Sequence, residues 1–314
     1  SEFHVFDSPY VDFKISSQCL KGGCANILQN TDGIVISLQF SAHLHFQQYL
    51  YGAKTILMFH GDVKDMISGE LYAPHLGWLN NGDLFNYNKL LLLTESNLEL
   101  LAPHLNETVR QKLGFIHNSI DAVYTPLPKP NTDEVAIISR LDADKNIFVA
   151  IDLAKIIKEQ KLNIIINIYG DGELKDQLQQ EIDKNNLNDY LKLKGFQPNK
   201  KAIFAQNKAL IMISKSEGFG LVALEAYGYG RPVIAFNAFT PASDIIKHGE
   251  SGYLVEPWDF EQMIDCINQT EELDQESIAA LFKNFSNDTV FTEWNKLFHE
   301  IDEETCPQDK ETKK

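Results

Sequence analysis

From about residue 133 onward, short apolar runs alternate with stretches of helical periodicity. Val135–Ile138, Ile164–Tyr169, Tyr190–Leu193, Ala209–Ile213 and Pro232–Phe236 are brief, rich in Ile, Val and Leu, and bounded by Gly, Asn, Asp or Pro, as buried strands are. Between them Asn146–Gln160 places Ile147, Ala150, Ile151, Ala154 and Ile157 at helical spacing, and Glu173–Asn186 and Asn199–Gln206 follow a similar, more polar pattern. Continuously apolar strands alternating with helices predict a parallel sheet covered on both faces.

The first 125 residues repeat this theme less completely. Gly33–Leu38, Lys54–Phe59 and Lys89–Thr94 read as strands, with helices at His43–Tyr51 and Ser96–Leu105. Pro126, Pro128 and Pro130 exclude regular helix or central strand from Tyr124–Asp133, which is expected to link two α/β domains. Ser286–Ile301 carries Val290, Phe291, Trp294, Leu297 and Phe298 on one side, and a charged tail, Asp302–Lys314, follows. The expected division is 1–127, 128–285, a helix at 286–301 packing back on the first domain, and a tail at 302–314.

Composition narrows the function. Of 314 residues, 44% are hydrophobic and 23% charged, as in ordinary globular chains, and the length suits two domains. Lys plus Arg number 28 against 44 Asp plus Glu, a net charge of −16, which argues against a nucleic-acid partner. It also argues against charge-driven docking to an anionic membrane, while leaving peripheral association through a local basic patch open. Cys19, Cys24, Cys266 and Cys306 form no CxxC pair and no zinc spacing, so free thiols are expected. No apolar run is long enough to cross a bilayer and no signal peptide is visible, so a soluble, cytoplasmic protein is expected.

Candidate chemistry concentrates in two segments. Glu217-Gly-Phe-Gly-Leu-Val-Ala-Leu-Glu225 follows a buried strand and opens a helix. Gly218 and Gly220 permit close approach of backbone to a ligand, and the N–H groups at the helix start favour an anion. Glu217 and Glu225 are then placed to accept hydroxyls; the competing reading is that Glu217 merely caps the helix. In Ser139-Arg140-Leu-Asp-Ala-Asp-Lys145-Asn146, Arg140 and Lys145 stand past the end of the first strand of the second domain. Ligands of open α/β sheets bind at that edge, and the two cations suit a diphosphate; the competing reading is a solvated loop. Asp142-Ala143-Asp144 is formally a DxD triplet, but two carboxylates make a poor magnesium cage. Gly170-Asp-Gly172 is expected to be a structural turn.

Taken in order, Arg140-Leu-(x)3-Lys145-Asn, Tyr169-Gly-Asp-Gly-Glu173, Leu193-Lys-Gly195-Phe196, Glu217-Gly-Phe-Gly-(x)4-Glu225-Ala, Gly230-Arg-Pro-Val-Ile-Ala235 and Gly249-Glu-Ser-Gly-Tyr-Leu-Val255 resemble the family 4 retaining glycosyltransferases. The resemblance implies the GT-B architecture: two Rossmann-like domains facing a cleft, here with an abbreviated or truncated N-terminal domain. Thr240-Pro-Ala-Ser-Asp-Ile-Ile246 resembles, more weakly, a branch that glycosylates cell-wall polymers or proteins.

Carried over residue by residue, the resemblance implies that Arg140 and Lys145 neutralise the donor diphosphate, so that no metal and no cofactor is required. It implies that Glu225 binds the ribose hydroxyls, that Glu217 contacts the transferred sugar, and that the backbone of Gly218, Phe219, Gly220 and Leu221 holds sugar hydroxyls and phosphate. Phe196 falls where the base would rest. His60, in Phe59-His60-Gly61-Asp62, takes the place of a histidine lining the sugar site, although a lone His after a strand is as readily structural. Thr94-Glu-Ser-Asn97 and Asn118-Ser-Ile-Asp121 also resemble the end of the family's first domain, whereas His43 and His45 fit packing or surface roles. The beginning departs from the family: Gly22-Gly23 has no strand ahead of it and does not qualify as the glycine-rich loop. The expected activity is transfer of a hexose or N-acetylhexosamine from a UDP-sugar to a glycan, polymer or protein hydroxyl, with retention. Closure of the two domains about the proline segment belongs to the same expectation. The rivals are a non-catalytic GT-B subunit that binds a partner transferase or acceptor, a nucleotide-sugar epimerase and a phosphorylase.

Overall fold

A computed structural model describes residues 34–38, 54–69, 73–81 and 87–304 of the chain. The chain divides into two compact units, the residues up to His117 with those from Val290 onward, and Asn118–Thr289. The expected helix at His43–Tyr51, the Gly22-Gly23 pair, His43, His45, Cys19, Cys24 and Cys306 lie outside the described residues.

Among the described residues, the first unit holds a four-stranded parallel sheet in the order β1 (Ile34–Ser37), β2 (Lys54–Met58), β3 (Lys89–Leu92), β4 (Leu113–Phe115). Helices α1 (Val63–Ser68), α2 (Ala73–Asn80), α3 (Glu95–Leu101) and α4 (Glu107–Arg110) accompany it. Leu57, Met66, Leu79, Leu90, Leu92 and Leu101 are fully buried and form its core. Short polar side chains start the helices: Asp62 accepts the amide of Lys64, and Thr94 accepts that of Asn97.

The second unit holds six parallel strands: β5 (Glu134–Ile138), β6 (Ile165–Tyr169), β7 (Leu191–Gly195), β8 (Ala209–Met212), β9 (Val233–Phe236) and β10 (Gly252–Val255). Their order across the sheet is β10-β9-β8-β5-β6-β7. This is the doubly wound arrangement, and the order reverses between β5 and β8. The connecting helices are α5 (Val149–Glu159), α6 (Lys175–Lys184), α7 (Lys200–Gln206), α8 (Leu221–Gly228), α9 (Ala242–Ile245), α10 (Phe260–Gln269) and α11 (Gln275–Asn284). Of the stripe predicted from periodicity, Ala150, Ile151, Ala154 and Ile157 are buried on α5 and Ile147 is buried just ahead of it, with Val149 and Leu153 buried beside them. The pattern does not pick out β4 and β10, nor α10 and α11.

The proline segment is not a free linker. Thr125 and Leu127 donate their amides to Gly228 and Tyr229 carbonyls at 2.7 and 3.1 Å. Arg231 is only 1% exposed. Its guanidinium donates to the carbonyls of Phe204 (2.8 Å), Leu127 (3.1 Å) and Pro128 (2.6 Å), fixing the prolines to the sheet. The last helix, α12 (Asn287–Glu304), runs past Ile301, where the sequence places its end. Lys54 from β2 meets Asp302 on it at 2.6 Å.

Candidate functional site

The strand order reverses between β5 and β8, and doubly wound sheets bind ligands at the carboxyl ends of the strands at such a reversal. The loop after β5 is pressed on the turn after β6. Leu141 donates to Asp171 O and Leu174 donates to Leu141 O, both at 3.0 Å. A Cβ on Gly170 would fall 1.8 Å from Ser139 O, and one on Gly172 would fall 2.5 Å from Leu141 O. Gly170-Asp-Gly172 is therefore the structural turn expected of it, required by contact between backbones.

Asp142 organises the first loop. One carboxylate oxygen accepts the Lys145 amide at 3.3 Å, capping the turn Ala143–Lys145, and the other holds Arg140 Nη1 at 2.8 Å. Arg140 is exposed over 72% of its side chain. Asn146, in the left-handed region at φ 54°, sends its amide to Ile213 O at 3.2 Å and joins this loop to the end of β8.

The loop after β8 brings in Glu217. Its Oε1 lies 2.8 Å from Lys145 Nζ, and the two side chains are 16% and 18% exposed. The competing reading of Glu217 as a helix cap does not hold: the N-cap of α8 is Gly220, with no side-chain cap bond, and the first turn has no acidic residue. Gly220 sits at φ 91°, and a Cβ there would lie 3.0 Å from Ile245 Cδ1. A helix start without a side-chain cap leaves donor N–H groups and the positive dipole end for an anion.

The other predicted residues separate into groups. The Phe219 ring is buried and packs edge-on against Phe285, centroids 5.8 Å apart, so this residue has only its backbone to offer. Gly218 is half-buried, and Leu221 at the first helical position is exposed. Phe196 follows β7 and is 75% exposed. His60 follows β2 in the first unit and is exposed. Glu225, on the second turn of α8, is joined to Lys200 of α7 at 2.7 Å. Sequence reasoning missed Lys200; the available signal was a pair of lysines in the first turn of a helix, where cations are disfavoured.

Three cations here thus each face a carboxylate: Arg140 with Asp142, Lys145 with Glu217, and Lys200 with Glu225. At Arg140 and Lys145 such a site can exchange its internal counterions for an anionic ligand and turn the freed carboxylates to hydroxyl groups. Among the described residues there is no cluster of three or more His, Cys, Asp or Glu able to hold a metal ion, and no helix long and apolar enough to cross a membrane.

Residues 125–285, just over half the chain, match the family described as glycosyl transferases group 1, and the chain belongs to that family. It is 27% identical over 220 residues to the poly(ribitol-phosphate) alpha-N-acetylglucosaminyltransferase of Staphylococcus aureus, covering 68% of this chain and 44% of that protein. It is 25% identical over 239 residues to the poly(glycerol-phosphate) alpha-glucosyltransferase of Bacillus subtilis, covering 74% of this chain and 35% of that protein. The chain therefore spans less than half the length of these curated relatives. Among solved structures, S. aureus TarM superposes with a TM-score of 0.74 at 23% identity, over 88% of this chain and 57% of that one. Anabaena HepE in complex with UDP gives 0.75 at 18% identity, over 88% and 81%. These likenesses establish the α/β fold with two parallel sheets seen in GT-B glycosyltransferases.

Proposed function

We propose that the chain binds a nucleotide sugar at the carboxyl ends of β5 and β8 and is the donor-binding part of a glycosyltransferase. The single observation that carries this reading is the Lys145–Glu217 pair, 2.8 Å apart beside a helix start with no side-chain cap. A nucleotide diphosphate supplies the anion for Lys145, Arg140 and the amides of Gly218–Leu221. The sugar and ribose supply hydroxyls for Glu217 and Glu225. Phe196 offers an exposed face to the base.

In this reading the protein's main contribution is electrostatic. Arg140 and Lys145 hold the charge that develops on the leaving diphosphate, with no metal required. The carboxylates orient the donor so that an acceptor hydroxyl meets the anomeric carbon. The donor is a UDP-hexose or UDP-N-acetylhexosamine, transferred with retention. The activities of the S. aureus and B. subtilis relatives support a cell-wall polymer as acceptor class, and the peptide N-acetylglucosaminyltransferase GtfA subunit of Streptococcus gordonii, 26% identical over 222 residues, supports a protein. The setting proposed is cytoplasmic, with peripheral membrane association compatible. Retention of Arg140, Lys145, Glu217 and Glu225 at one sheet edge disfavours a non-catalytic subunit.

The test is incubation with UDP-glucose and UDP-N-acetylglucosamine, in chelator, with polyol-phosphate, glycan and peptide acceptors. UDP release with an equatorial anomeric proton in the product, the α linkage that retention from an α-linked donor leaves, supports the reading. A folded chain that neither binds nor turns over any nucleotide sugar contradicts it.

A further inference from the structure

Lys200 and Lys201 occupy the first turn of α7, where the helix dipole opposes a cation. Lys201 is exposed, whereas Lys200 is drawn onto Glu225 of α8, with Nζ 2.7 Å from Oε2 and 30% of its side chain exposed. Oε2 is closed to solvent and has no aligned hydrogen-bond donor, so the contact is electrostatic rather than a directed hydrogen bond. The Glu225 side chain is nevertheless 32% exposed. With Oε2 covered, that exposure belongs to Oε1 and the methylene stem. Among the described residues Lys200 is the partner the structure gives this carboxylate.

We propose that Lys200 is a positioning residue for the nucleotide: it pins the inner oxygen of Glu225 and thereby presents the outer oxygen to a ribose diol. The proposal rests on the donor-site reading above. A carboxylate fixed before binding loses less rotational freedom when it accepts two hydroxyls, so the anchor strengthens recognition without touching the ligand. The misplacement of a cation at a helix start then has a compensating purpose, as local rule-breaking at functional sites commonly does.

The experiment is calorimetric titration of the full chain with UDP and with 2′-deoxy-UDP, for the wild type, Lys200→Met, Lys200→Arg and Glu225→Gln. The wild type should prefer UDP by about tenfold, the value of one hydrogen bond to a charged group. Lys200→Met and Glu225→Gln should reduce that preference to about twofold or less, and Lys200→Arg should restore most of it, since the ion pair is what matters. A Lys200→Met chain with unchanged melting that retains the full preference overturns the proposal. So does one that loses both ligands in equal proportion, because a mere tie between α7 and α8 has no reason to sense one hydroxyl. If Lys200→Met does not fold, Lys200→Gln gives the same readout. A wild type that binds neither ligand refutes the donor site itself, and is thereby distinguished from failure of the Lys200 role alone.

Discussion

The two ends of the six-stranded sheet use charge in opposite ways. At the amino end, Arg231 is buried and spends its guanidinium on three backbone carbonyls, while burial pushes its pKa below the ordinary value. Lys208, with 7% of its side chain exposed, is 2.8 Å from Asp133, and Asn167 joins Glu134 to Asn207 at 2.6 and 2.9 Å. At the carboxyl end, Lys145, Lys200 and Arg140 meet carboxylates, and those side chains stay 18%, 30% and 72% exposed. A cation held by backbone carbonyls in the interior has no substitute when it is removed. A partly hydrated cation facing a carboxylate can trade that partner for a phosphate at modest cost. One end fastens the unit together; at the other, in the proposed reading, Lys145 and Arg140 exchange their carboxylates for a diphosphate.

The comparison can be broken most severely at the amino end. Arg231→Met leaves three backbone carbonyls, one buried and two part-buried, without their donor, and urea unfolding should show a loss of about 3 kcal/mol or more. An effect below about 1 kcal/mol would mean that the proline segment is held by other contacts. Lys145→Met is the contrasting change. Its UDP affinity should fall about a hundredfold, roughly 2.7 kcal/mol, while the melting temperature shifts by only a few degrees. Gly220→Ala tests the helix start: a Cβ at φ 91°, 3.0 Å from Ile245 Cδ1, should cost about 1–2 kcal/mol in unfolding experiments. Arg140→Gln, at an exposed ion pair, should alter stability by less than about 0.5 kcal/mol yet weaken UDP about tenfold. A stability loss in place of the binding loss would place Arg140 with the structural charges.

Much of this organisation was legible in the chain because buried parallel strands announce themselves as apolar runs. β5, β6, β8 and β9 each lie within or one residue beyond the predicted strand, and the helix α5 falls on its predicted stripe. The residues of the carboxyl end were also visible, since Gly218, Gly220, Glu217 and Glu225 follow one strand and Arg140 and Lys145 another. Their partnerships were not. Lys145 and Glu217 are 72 residues apart, and no local periodicity encodes such a pairing. Arg231 sits inside a recognised run, Gly230-Arg-Pro, but only the fold shows that it binds Leu127 and Pro128 across about a hundred residues. Lys200 stayed hidden for the same reason: its meaning depends on a helix that arrives later in the chain.

The most direct measurement of the exchange idea is a titration of the full chain with UDP and with uridine, both in chelator. If the cations at the carboxyl end trade carboxylates for a diphosphate, UDP should bind saturably and uridine about a hundredfold more weakly, with the difference shrinking as salt is raised. Equal affinity for the two, or no binding of UDP by a folded chain, would contradict the account.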